Sequence, residues 1–186
     1  MMTYSKYRVL VETLVKEGKS TGDIQSEDLA NYSFLNNKRM ERLDKKAVVP
    51  EEYIETIQQY NRPVEWIVLT ESWCGDAAQI LPYINKVADL NENIDLKIAL
   101  RDENLELMDA HLTNGGRAIP KLIMRDKQTK EVIDTFGPRP SEATKMVQDY
   151  KSTYGTLTPE FKKDLQLWYT KNKGQNAVAD LVSLLS

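Results

Sequence analysis

Two residue types from which reactive and metal-binding sites are often built are almost missing. The 186 residues hold one cysteine, Cys74, and one histidine, His111. A single cysteine excludes a disulfide within the chain and any cysteine-rich zinc site. With one histidine beside it, no protein-only transition-metal site is expected. A basic excess is missing too: 25 Lys and Arg stand against 28 Asp and Glu, for a net charge of −3 and a pI near 5.4. No Lys/Arg cluster suggests a phosphate-binding surface, so nucleic acid is not an expected partner. No run approaches the ~20 apolar residues of a membrane-spanning helix. Met1–Arg8 has no uninterrupted apolar core of signal-peptide length. The expectation is a soluble, cytoplasmic protein with no membrane partner. Internal repeats and low-complexity linkers are also absent. What remains is an ordinary globular balance, 41% hydrophobic and 28% charged. At ~150 residues per domain this is about one domain, long enough to bury a core.

The chain is organised around Val68-Leu69-Thr70-Glu71-Ser72-Trp73-Cys74-Gly75-Asp76-Ala77. Trp66-Ile67-Val68-Leu69 reads as a buried strand that stops at a polar turn. Beyond the turn, Ala77, Ile80, Leu81, Ile84, Val87 and Ala88 recur at helical spacing. Cys74 sits where that helix begins. The first N–H groups of a helix lack intrahelical partners and carry positive partial charge. A thiolate placed there is stabilised, so the expectation is an exposed thiol of lowered pKa. A lone cysteine is otherwise commonly a buried small hydrophobe. Asp76 and Glu71 oppose a thiolate by like charge, and Arg117 and Lys121 would counter them if they point inward. Asp76 also suits the helix start itself.

This junction resembles the active site of the thioredoxin superfamily. Trp73-Cys74-Gly75 matches the start of its Trp-Cys-Gly-x-Cys motif, and Pro82 its helix-kinking proline. Arg117-Ala118-Ile119-Pro120 matches its cis-proline loop, which packs against the active-site cysteine. The resemblance covers roughly residues 60 to 153. The chain departs from the family pattern at two positions: Ala77 stands where the resolving cysteine belongs, and Val68 where the family often carries a buried acid. The resemblance implies an α/β fold with a mixed four-stranded sheet in the order β-α-β-α-β-β-α, lacking the family's first strand. It implies that the Ile119 backbone faces the site, where the family pairs a bound peptide or thiol in strand-like fashion.

Around that core, residues 1–62 read as an N-terminal helical extension packed on it, 63–153 as the thioredoxin-like core, and 154–186 as a C-terminal helical extension, one compact domain overall. Residues 4–17 give one helix. Ser26 caps the next, which the spacing of Leu29, Tyr32, Leu35 and Met40 divides in two near Asn36-Asn37. Pro50-Glu51-Glu52 starts a third. A helix over 76–90 follows the Cys74 turn, then a parallel strand near 94–100. A short helix spans Leu105 to Leu112, and a hairpin pairs Leu122–Met124 with Glu131–Phe136. Ser141 caps a helix to about Ser152, and Thr158-Pro159-Glu160 starts another. His111 reads as a solvated surface histidine, and Trp66 and Trp168 as packing residues.

Candidate site residues are therefore Cys74 as nucleophile, with Trp73, Gly75, Asp76, Ala77, Arg117, Ile119 and Pro120 shaping the site. Without a partner at 77, a mixed disulfide formed by Cys74 must be resolved from outside. The leading reading is monothiol thiol–disulfide exchange on protein disulfides or small-thiol adducts. It requires no cofactor beyond a low-molecular-weight thiol as co-substrate. The alternatives are a non-catalytic peptide- or protein-binding module and, third, a dimer bridging an iron–sulfur cluster with external thiols.

Overall fold

The computed structural model describes residues 1–186. Its centre is a four-stranded sheet in the order β2-β1-β3-β4. β1 (Val64–Thr70) and β2 (Ile94–Leu100) run parallel, joined by the crossover helix α4 (Gly75–Ala88). β3 (Lys121–Asp126) lies antiparallel to β1, and β4 (Val132–Phe136) closes the hairpin on β3. β1 is almost entirely buried, which accounts for its unbroken apolar run where a half-exposed strand would alternate. The short helix α5 (Leu105–Asp109) links β2 to β3, and α6 (Ser141–Tyr154) follows β4. This is the mixed sheet and element order that the motifs imply.

Three helices precede the sheet: α1 (Tyr4–Lys16), α2 (Glu27–Lys46) and α3 (Glu51–Gln59). Two more close the chain, α7 (Pro159–Asn172) and α8 (Gln175–Ser183). α2 and α8 both pack on α4. The caps read from sequence are present for α2, where Ser26 accepts from the Leu29 N–H, and for α7, where Thr158 accepts from Phe161.

Two expectations about elements are corrected. α2 is one helix of 20 residues, not two. Asn36 and Asn37 do not break it; both are buried, so they are polar residues on its inward face. The cap of α6 is Pro140; Ser141 instead accepts nothing from its own helix, and its N–H and hydroxyl both donate to Asp180 of α8. The missing first strand leaves a trace: Met2 exchanges two backbone hydrogen bonds with Ile98 on β2, at 2.8 and 2.7 Å. No helix is long and apolar enough to cross a membrane.

Candidate functional site around Cys74

The register of the sheet gathers the site. Parallel pairing of β1 and β2 puts the turns after Thr70 and after Leu100 at one end. Antiparallel pairing sets Leu69 against Lys121, so the loop before β3 arrives at that same end. Phe136 pairs with Leu122, so the loop after β4 arrives there as well. Residues 71–74, 101–102, 117–120 and 137–140 thus converge.

Cys74 is the N-cap of α4; its sulfur accepts from the Ala77 N–H at 3.4 Å. Its thiol donates to the Ile119 carbonyl at 3.2 Å. The Ile119–Pro120 peptide bond is cis. Gly137 lies so close to the Pro120 carbonyl that a Cβ there would collide with it, and its φ of +109° suits only glycine. The loop after β4 is thereby seated on the loop before β3.

The expected exposed, acidic thiol is corrected. Cys74 is only 8% exposed, and its pKa is pushed up to about 12. Burial is the larger cause and the Asp76 charge the next. The N–H groups of Ala77 and Asp76, and the charge of Arg139, pull the other way without prevailing. A helix start stabilises a thiolate only as far as the site stays hydrated. Here α2 and α7 lie over it: a Cβ on Gly75 would meet Gln166 Nε2 at 3.4 Å and Arg39 Nη1 at 3.7 Å.

Asp76, two residues on, is buried as well. Burial raises its pKa, against the charge of Arg139 and the hydrogen bond from Tyr169. Arg139 Nη2 reaches Asp76 Oδ2 at 2.8 Å, and the Tyr169 hydroxyl donates to Oδ1 at 2.9 Å. The two cations expected beside the site do not serve it. Arg117 turns outward into a bidentate pair with Asp109. Lys121 is buried with its amine 3.4 Å from Thr113 Oγ1, and burial lowers its pKa. Arg139 supplies the charge instead. Its signal was present in the hairpin, because the end of β4 must return to the start of β3.

Trp73 is half-buried, with the Arg101 guanidinium 5.0 Å from its ring centre. The fully buried Glu71 accepts from the Asp102 N–H at 3.0 Å through Oε1, while Oε2 has no partner. Burial raises its pKa. Val68 is fully buried on β1, an apolar residue where the family often carries an acid.

Ser72 fixes the turn, a role that no local sequence pattern signals. Its hydroxyl accepts from the Thr21 N–H at 2.9 Å and bonds Ser33 Oγ at 2.7 Å. Its N–H donates to Thr21 Oγ1 at 2.8 Å, and its carbonyl accepts from Asn36 Nδ2 at 2.9 Å. All four residues are buried. Polar residues so deep must be paired to be tolerated, and here the pairing ties the N-terminal extension to the cysteine turn.

His111 lies beyond the end of α5, half-buried, with Nδ1 2.9 Å from the Leu107 carbonyl. Trp66 is fully buried and Trp168 half-buried. No group of three or more His, Cys, Asp or Glu side chains is placed to hold a metal ion.

The sequence profile of a family described as thioredoxin matches residues 22–151. A comparison with curated proteins gave no match. Two solved structures are similar over nearly the whole chain. One is a protein of unknown function from Pseudomonas aeruginosa, 19% identical, with a TM-score of 0.61, covering 99% of this chain and 97% of that one. The other is an HIV epitope-scaffold, 18% identical, with a TM-score of 0.57, covering 98% and 97%. At these identities the likeness speaks for the fold alone.

Proposed function

The chain belongs to the thioredoxin family, and on that premise we propose that it carries out monothiol thiol–disulfide exchange from a resting state in which Cys74 is protonated and covered. The observation that carries this reading is the placement of the sulfur at the start of α4, 3.2 Å from the Ile119 carbonyl. That carbonyl is the group which the family resemblance assigns to an incoming extended peptide or thiol. In the resting state Cys74 occupies it.

Exchange then needs two events. The cover must open, and the thiol must lose its proton to water or base as hydration lowers its pKa. The thiolate attacks one sulfur of a disulfide; a new S–S bond forms to Cys74, and the other sulfur departs as a thiolate. Ala77 offers no second sulfur, so an external thiol attacks the mixed disulfide and restores Cys74. α7 is the movable part. It buries only Phe161, Leu165 and Tyr169, and side-chain hydrogen bonds join it to α4: Tyr169 to Asp76, and Gln79 Nε2 to Gln166 at 2.9 Å.

The test is incubation with glutathione disulfide, followed by intact mass. Wild type should acquire a glutathione adduct on Cys74 slowly. Tyr169→Phe and Gln166→Ala, which loosen α7, should acquire it several-fold faster. The second reading is a binding module that does no exchange; the thiol pKa of about 12 favours it. Absence of adduct in all three proteins would select that reading.

A further inference from the structure

Folding brings together basic residues that are scattered along the sequence. A cavity of about 540 Å³ opens between α2, α4 and the α7–α8 junction. Arg42 and Lys46 of α2 line one side and Lys173 the other, with Tyr83 and Tyr169 as aromatic wall and Val48 at the rim. No acidic residue lines it. None of the three cations takes part in an ion pair. Elsewhere on α2, Lys38 and Lys45 are both paired with Glu41. The neighbouring hollow adds Arg39 and Lys163, which take part in no ion pair, beside Lys38, which is paired with Glu41 outside its lining. Arg39 is disfavoured as a cation first by burial and then by the charge of Arg42.

With α7 seated, the aromatic wall is held in place on both sides. Gly174 lies against the Tyr83 ring so closely that a Cβ would collide with it. Tyr169 is fixed by its hydrogen bond to Asp76. Val48 is 73% exposed and leaves apolar surface at the mouth.

Uncompensated positive charge around a partly apolar hollow of small-molecule size is suited to one chemistry. We propose that this cavity is a binding site for a small organic anion with a phosphate-like head and a flat apolar body. The head would lie between Arg42, Lys46 and Lys173, where a bidentate guanidinium contact to Arg42 is available. The body would lie on Tyr83 and Val48. The site is separate from the Cys74 sulfur, and the proposal does not depend on thiol exchange.

The experiment is calorimetric titration of the full chain with 1-naphthyl phosphate, with 1-naphthol and inorganic phosphate as comparison probes. The expected result is saturable one-to-one binding of 1-naphthyl phosphate, with each comparison probe bound at least tenfold more weakly. Arg42→Gln combined with Lys173→Asn should weaken binding at least tenfold. Asn tolerates the left-handed backbone of residue 173, whose φ is +53°. Val48→Asp, which places a negative charge at an exposed rim position, should weaken it similarly and guards against misfolding of the double variant. Absence of saturable binding would overturn the proposal. So would equal affinity for 1-naphthol, equal affinity for inorganic phosphate, or unchanged affinity in both variants.

Discussion

Unfolding the chain should speed alkylation of Cys74 by about two orders of magnitude at pH 7. The thiolate is the reacting species. An unfolded cysteine with a pKa of ~8.5 is about 3% ionised at pH 7. With the pKa pushed up to about 12, the folded thiol is ionised about 3,000-fold less. A more basic thiolate is intrinsically more nucleophilic, with a Brønsted slope of ~0.45, which returns about 40-fold. The net deficit is about a hundredfold, before the cover of α7 is counted. The assay is the time course of carbamidomethylation by intact mass, with and without guanidinium, from pH 7 to pH 10. The native rate should rise about tenfold per pH unit throughout, while the unfolded rate flattens above pH ~9. A native rate within tenfold of the unfolded one at pH 7 would refute the argument. So would a native profile that flattens below pH 10, because the thiol would then ionise like an exposed one.

Two further changes test the geometry. Ala77→Cys should close a disulfide with Cys74 on mild oxidation, because the Ala77 N–H already lies 3.4 Å from the sulfur; intact mass should lose two hydrogens, free thiols should vanish, and some insulin reductase activity should appear. Two persistent free thiols under oxidant would mean that positions 74 and 77 do not meet the ~4–7 Å Cα separation a disulfide needs. Gly137→Ala should destabilise the fold by on the order of 3 kcal/mol, because a Cβ at φ +109° meets the Pro120 carbonyl; an unchanged denaturation midpoint would show that the two loops can separate freely.

What was legible in the sequence followed from periodicity and local chemistry. The buried run of β1, the crossover into α4 and the Thr158 cap depend on neighbours a few residues apart. The break that the spacing of Leu29, Tyr32, Leu35 and Met40 suggests at Asn36-Asn37 does not occur, because the inward face of α2 is partly polar, with Ser33, Asn36 and Asn37 buried on it. Asn36 satisfies the Ser72 carbonyl, 36 positions away. The expected exposed thiol is likewise overturned from a distance. The helix start beneath Cys74 is a local feature, but the burial that outweighs it comes partly from α7, where Tyr169 is 93 positions from Asp76. Arg139 was reachable in principle, since a hairpin returns its end to its beginning. The cationic cavity was not, because Arg42 and Lys173 become neighbours only when α2 and the α7–α8 junction come together.

The hydrogen bond from Cys74 to the Ile119 carbonyl also bears on chemical damage. Peroxide oxidises the thiolate first to a sulfenic acid and then irreversibly to sulfinic and sulfonic acids. A covered sulfur that keeps its proton is a poor target for the first of these steps. A chain with one cysteine has no second thiol of its own to rescue a sulfenic acid as a disulfide. Closure therefore protects the single sulfur during an oxidative burst. If α7 lifts as the proposed exchange requires, damage should accumulate only in molecules caught open, and lifetime under peroxide would follow how often the cover opens.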